Sequence, residues 1–201
     1  MKLFYTPGAC SLAPHIVLYE ACLEFDSVKV SLKDHTTEDG INFYQINPLG
    51  YVPLLVLDDG GQLTEGPAIV QYLADQAPEK NLAPSNGTIA RYRLQSLLNF
   101  ISSELHKGYS PLFNPATPKE YKSIAIEKLK NRYNWIEEKL DTSPWLTGGN
   151  FTVADVYLFV VTNFAKVVKV DLTSFVNLSS FMQRVNARSA VQAALKAESL
   201  F

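Results

Sequence analysis

The sequence predicts a small mixed-sheet α/β unit followed by a larger all-helical one. Three observations carry this. Short β-like runs alternate with helical runs over roughly the first eighty residues, Pro78 to Gly87 is rich in Pro, Asn and Gly, and helical periodicity dominates after it. The domains expected are therefore residues 1–78, a linker at 79–87, and residues 88–201.

Lys2 to Tyr5 reads as a strand closed by Thr6-Pro7-Gly8. From Ser11 the apolar spacing becomes helical, and Pro14 is tolerated in a first helical turn, where its missing N–H has no internal partner. Ser27 to Leu32 alternates as a half-buried strand does. Strands near Leu54–Leu57 and Gln62–Thr64 flank Asp58-Asp59-Gly60-Gly61, a strong hairpin signal, and a helix follows from Pro67 to Gln76. That makes a four-stranded mixed sheet of thioredoxin size. Beyond the linker, one long helix is expected from Thr88 to Tyr109, interrupted by Pro111, Pro115 and Pro118, and another from Lys119 to Leu140. Thr152 and Asp155 form a shortened capping box for a third, with Phe151 and Val156 as a hydrophobic staple.

With 47% apolar and 19% charged residues and a formal charge of -2, the chain has the composition of a soluble globular protein. It has no Lys/Arg run to serve as a phosphate footprint, so nucleic acid is not an expected partner. No stretch reaches the roughly 20 apolar residues needed to span a bilayer, and the first residues are too short an apolar run for a signal peptide, so the expected location is the cytoplasm and no membrane partner is expected. The two cysteines, Cys10 and Cys22, would lie about 18 Å apart on one helix at 1.5 Å per residue, too far for a disulfide. Two thiols fit a reducing compartment, and the count excludes a cysteine-based zinc site; no metal is expected.

Cys10 stands where the first strand hands over to a helix, and helix N-terminal N–H groups and dipole favour thiolate over thiol. The alternative is a small buried core thiol, the reading given to Cys22 in its apolar helix. Ala13, one helical turn on, cannot resolve a mixed disulfide, so any exchange at Cys10 needs an external thiol. A cis Val52–Pro53 bond would turn the Val52 amide groups outward toward a peptide ligand; the alternative is a structural turn. Glu65 and Gly66, at a helix entrance, could receive an α-amino-acid end or serve only as a cap. Asn99, Ser103 and His106 fall on one helical face, with Lys107 four residues after Ser103, forming either a polar wall or a solvated stripe.

Taken in order, Met1-Lys2-Leu3-Phe4-Tyr5, Pro7-Gly8-Ala9-Cys10-Ser11, Asn47-Pro48 through Val52-Pro53, Thr64-Glu65-Gly66, Glu104-Leu105-His106-Lys107-Gly108 and Phe151-Thr152 through Ala154-Asp155 resemble the cytosolic glutathione transferases, and the bacterial beta class most closely. The resemblance covers essentially the whole chain. It implies a thioredoxin-like N-terminal domain, a helical C-terminal domain and a homodimer, for which Tyr44 and Tyr51 are candidate contact residues. It implies detoxifying conjugation of glutathione, a co-substrate and not a tightly bound cofactor, to hydrophobic electrophiles, with glutathione-dependent thiol–disulfide exchange beside it. Cys10, Ser11 and His106 would be catalytic, Ser11 and His106 as donors to the glutathione sulfur. Val52, beside Pro53, would pair with the tripeptide's cysteine, and Glu65 with Gly66 would hold its γ-glutamyl end. Asn99, Ser103, Glu104, Leu105 and His106 would line the opposite wall, with Tyr5, His106 and Lys107 on the electrophile side. Where the family places a lysine at the glycine end, this chain has His35, with Lys33 two residues earlier.

Overall fold

The computed structural model describes residues 1–200, which divide into two compact units: Met1–Leu82 with the chain from Arg188, and Ala83–Ala187. The first unit holds β1 (Lys2–Tyr5), α1 (Leu12–Glu20), β2 (Asp26–Ser31), β3 (Thr36–Thr37), β4 (Leu54–Val56), β5 (Gln62–Thr64), α2 (Gly66–Gln76) and, from the far end of the chain, α8 (Ser189–Ala197). Its sheet has the order β3-β2-β1-β4-β5, with β1 and β2 parallel and the other neighbours antiparallel. The architecture is thioredoxin-like, as expected, but with five strands and not four.

The pleat explains how the sheet is covered. Leu3, Phe4 and Tyr5 in β1 are all buried, so both faces of the central strand are packed. Phe4 joins Val30, Phe43, Val52 and Leu54 in one cluster, with the Phe4 and Phe43 ring centroids 5.6 Å apart. α1 packs against α2 and α8, burying Leu12, Ala13, Ile16, Val17 and Leu18. The Asp58-Asp59-Gly60-Gly61 hairpin forms as predicted. Gly60 takes φ +86, and the Asp59 carboxylate accepts from the Gly61 N–H at 2.8 Å.

Two expectations in this unit need correction. The all-helical domain does not extend from residue 88 to the end of the chain, because α8 packs on α1 and belongs with the first unit. Cys22 is not inside an apolar helix. It lies just past the end of α1, exposed and at φ +53, where Cys22 N–H donates to Tyr19 and Leu23 N–H to Leu18, an αL helix stop built here without glycine. The Lys80 ammonium donates to its sulfur at 3.2 Å.

The helical unit contains α3 (Ile89–Phe100), a π-helical segment (Ile101–His106), α4 (Lys107–Phe113), α5 (Lys119–Asp141), α6 (Val153–Val168) and α7 (Val176–Asn186). The first three are continuous, so the long predicted helix exists but carries a π turn. Pro111 does not end it; it lies within α4, two residues before the end, where a lost donor leaves little helix to disrupt. Thr152 and Asp155 cap α6, the buried Asp155 carboxylate accepting from the Thr152 N–H at 2.8 Å, the Thr152 hydroxyl at 3.0 Å and the Leu146 N–H at 2.8 Å. Desolvation, partly offset by these bonds, holds the Asp155 carboxyl up at about 6. At α7 the first amides are satisfied from a neighbouring helix: Glu137 of α5 accepts from Asn177 and Leu178 N–H at 2.8 and 2.9 Å. No helix among the described residues is long and apolar enough to cross a membrane.

Candidate active site

In the α/β unit the chain leaves β1 through a turn fixed at several points. Thr6 Oγ1 donates to the Val30 carbonyl at 2.7 Å, Thr6 N–H donates to Ser11 Oγ at 3.1 Å, and Ser11 Oγ–H returns to the Thr6 carbonyl at 3.2 Å. Gly8 takes φ +72, and its N–H donates to Glu198 at 2.9 Å. Cys10 follows, half-buried, with its thiol donating to the Val52 carbonyl at 3.5 Å. The Val52–Pro53 peptide is cis.

Ser11 does not fit the donor role the resemblance implies. It is fully buried, and its hydroxyl is committed to closing the turn on Thr6. The first amides of α1 are not free either, because Leu12 N–H donates to Ala9 and Ala13 N–H to Cys10 carbonyls at 3.0 and 3.1 Å. What reaches Cys10 from the helix is its dipole and not open N–H groups. Tyr5 is nearly enclosed, and burial together with the charge of Glu198 keeps its phenol above the ordinary range.

Around the rest of the proposed tripeptide groove, Glu65 is exposed at φ +68 and ψ 112, directly before α2. That is a costly backbone for a residue with a Cβ and a conformation concentrated at ligand clamps. Its carbonyl accepts from Ala68 and Ile69 N–H, while Gly66 is buried at the first position of α2. Lys33 is exposed. His35 is half-buried at φ +50, its ring 4.5 Å from that of Tyr44 and its Nδ1 buried without a hydrogen-bond partner. Gly50 backs this pair: a Cβ there would come within 2.6 Å of the Tyr44 ring and 2.9 Å of His35 Nδ1.

In the helical unit the π turn redistributes the predicted polar face. Bonding from i to i+5 adds a residue to the turn, so the three-and-four spacing no longer keeps one stripe. Asn99 and Ser103 remain exposed, and Ser103 Oγ donates to the Asn99 carbonyl at 2.9 Å. His106 turns inward: its Nδ1 lies 2.8 Å from the Tyr157 hydroxyl, and its ring centroid is 5.5 Å from that of Phe164. Two expected wall residues do not offer their side chains. Leu105 is fully buried, and the Glu104 carboxylate is held by Arg132 at 2.7 Å, which lowers its pKa. Lys107 is exposed.

Burial, reinforced by the charge of Lys107, lowers His106 from its ordinary 6.5 to about 4, so the ring is neutral at neutral pH. Between those values the unfolded chain binds a proton that the folded protein refuses, so His106 makes the protein less stable as pH falls from 6.5 toward 4. Asp155 works in the opposite sense. Its folded carboxyl stays protonated up to about 6 while the unfolded one ionises near 3.8, so its contribution falls as pH rises through that window. The two trends oppose each other and are separable only by substitution. His106→Asn is expected to gain about 2 kcal/mol on the unsubstituted protein between pH 7 and pH 4.5 in urea unfolding. A stability difference that stays constant with pH would contradict this assignment.

Sequence reasoning missed Glu198. It is buried, close to the thiol turn, and 190 residues from its partner Gly8. No local motif signals such a contact; the only trace is a histidine, His15, among the buried residues of α1.

Both units of the chain match known proteins. The glutathione S-transferase N-terminal domain matches residues 1–75, and the glutathione S-transferase C-terminal domain matches residues 100–189. The chain is 47% identical to glutathione S-transferase GstA of Escherichia coli O157:H7, with all of both chains covered. A ternary complex of BphK, a bacterial glutathione transferase, superposes with a TM-score of 0.97 at 53% identity, covering 99% of this chain and 100% of the other. A beta-class glutathione S-transferase of Sphingomonas chungbukensis gives a TM-score of 0.96 at 47% identity, with both chains fully covered. With both domain models matched in order and near-complete coverage by bacterial relatives, the chain belongs to the glutathione S-transferase family and groups with its bacterial beta class.

Proposed function

We propose that the protein conjugates reduced glutathione to hydrophobic electrophiles and also exchanges thiols and disulfides through Cys10. The observation that carries this reading is the half-buried Cys10 sulfur beside the Val52 carbonyl, in a turn pinned to β1 and β2. In conjugation the glutathione thiolate attacks the electrophile, forms the thioether and expels the leaving group as an anion; the tripeptide supplies the nucleophile and the protein orients it. In exchange the Cys10 thiolate attacks the glutathionyl sulfur of a mixed disulfide and releases the other thiol. A second glutathione thiolate then attacks the Cys10–glutathione bond, regenerating Cys10 and leaving oxidised glutathione.

In this reading Val52 and Pro53 hold the cysteine of the tripeptide through the backbone, and Glu65 with Gly66 holds its γ-glutamyl end. The glycine end goes to His35, half-buried beside Tyr44, and exposed Lys33, two residues earlier, is the alternative. Ser11 keeps the turn closed. His106, neutral at working pH, acts as a single-proton donor or acceptor, and Lys107 supplies positive charge toward the electrophile. Asn99 and Ser103 complete the polar contribution. The reading includes a reducing, cytoplasmic setting and a homodimer built on exposed Tyr44, Leu49 and Tyr51.

Titration calorimetry with reduced glutathione, followed by an aryl-halide conjugation assay, tests the reading. Binding between about 1 μM and 1 mM is expected, with turnover. No heat of binding at millimolar glutathione would leave the fold without this function. Light scattering at twice the chain mass, lost in Tyr51→Glu, is the expected sign of the homodimer.

A further inference from the structure

We propose that Tyr157 is a positioning residue for conjugation: its phenol donates to His106 Nδ1 and so keeps the ring proton on Nε2, leaving that nitrogen as a donor to the glutathione sulfur. The proposal deepens the conjugation reading and rests on it.

His106 ends the π turn and Tyr157 stands in α6, 51 residues away. The Tyr157 hydroxyl lies 2.8 Å from His106 Nδ1, and the two rings meet edge to face at 84° with centroids 6.0 Å apart. Two helical turns further along α6, and so on the same face, Phe164 packs on the imidazole with centroids 5.5 Å apart. Phe164 is itself flanked by Tyr109 and Phe113, at 6.0 and 5.6 Å. One face of α6 therefore holds the ring by a nitrogen and by a flank. Tyr157 is 1% exposed, so its hydroxyl has no solvent to turn to instead.

The direction of the bond follows from what each partner offers. Burial, with the charge of Lys107, lowers His106 to about 4, so at neutral pH the ring has one N–H and one bare nitrogen. A phenol donates well and accepts poorly, whereas a bare imidazole nitrogen accepts well. The pairing that uses both strengths is Tyr157 O–H into bare Nδ1. A hydrogen bond at one ring nitrogen sets which nitrogen carries the proton, so Nε2 carries it. A ring so held offers a donor to a thiolate and no bare nitrogen to a thiol. The proton that glutathione loses then goes to solvent and not to His106. The π turn is what permits this. On a regular helix His106 would share the exposed stripe of Asn99 and Ser103 and face away from the phenol.

The test uses the full chain with isotope-labelled histidine nitrogens at neutral pH, and His106→Asn identifies the His106 signals by their loss. NMR of the unsubstituted protein is expected to show Nε2 protonated and Nδ1 bare, and Tyr157→Phe should bring in the other tautomer. In the aryl-halide assay Tyr157→Phe is expected to lower kcat about three- to tenfold, the span of one neutral hydrogen bond, with KM for glutathione within about twofold. Because Tyr157 acts through His106, the same substitution made on His106→Asn should cost less than about twofold more. A proton on Nδ1 in the unsubstituted protein overturns the proposal, even if Tyr157→Phe does not fold. So does a folded Tyr157→Phe protein that keeps a single tautomer or its full kcat, and so does an undiminished further loss on His106→Asn. If the glutathione reading itself is wrong, the unsubstituted protein shows no conjugation while its tautomer still depends on Tyr157.

Discussion

Cys10→Ala is expected to cut exchange with glutathione mixed disulfides by at least about a thousandfold while leaving aryl-halide conjugation within about tenfold. The asymmetry follows from which sulfur forms the new bond. In exchange the protein's own thiolate must attack, and no side chain one helical turn away can replace it, since that position is Ala13. In conjugation the attacking sulfur belongs to glutathione, and Cys10 contributes only its surroundings. Parallel assays on both substrate types decide the matter. Equal loss in both would make Cys10 part of glutathione activation itself; equal retention would remove it from the chemistry altogether.

Glu65→Gly is expected to weaken glutathione binding about ten- to a hundredfold without lowering the melting temperature. A charge-assisted contact to the γ-glutamyl ammonium contributes about 1.5–3 kcal/mol, which sets that range. Stability moves differently because Glu65 holds φ +68, a conformation costing on the order of 1–3 kcal/mol for a residue with a side chain. Glycine adopts it freely, at an entropic cost in the unfolded chain of about 0.5–1 kcal/mol, so the folded state should break even or gain. Glu65→Gln separates the factors by keeping the strain while removing the charge. Calorimetry beside thermal unfolding reads both, and unchanged affinity in the glycine variant would take Glu65 out of the glutathione site.

Local chemistry made much of this legible in the sequence. The Asp-Asp-Gly-Gly hairpin, the Thr152–Asp155 cap and strand β5 all follow from turn, capping and alternation rules acting within a few residues. What stayed hidden depends on longer or subtler terms. β3 is two residues long, too short for any alternation to register, and it exists because β2 offers it an edge. The π turn leaves the apolar spacing of its helix almost unchanged, yet it moves His106 away from the exposed stripe it was expected to share with Asn99 and Ser103. Leu105 and Glu104 match the family's motif as letters, but one is core and the other is paired with Arg132, so their side chains are spent elsewhere. The Glu198–Gly8 bond joins positions 190 residues apart, and periodicity contains no term for it.

Because α8 belongs with β1 and α1, the helical unit is in effect an insertion within the α/β unit. During synthesis the first 82 residues emerge without α8, so the flank of α1 that α8 covers waits bare until Ser189–Ala197 has followed. A fragment cut at Leu82 would keep the thiol and every strand but carry an uncovered apolar seam. Such a piece is expected to aggregate unless the closing helix is supplied in trans or grafted onto its end.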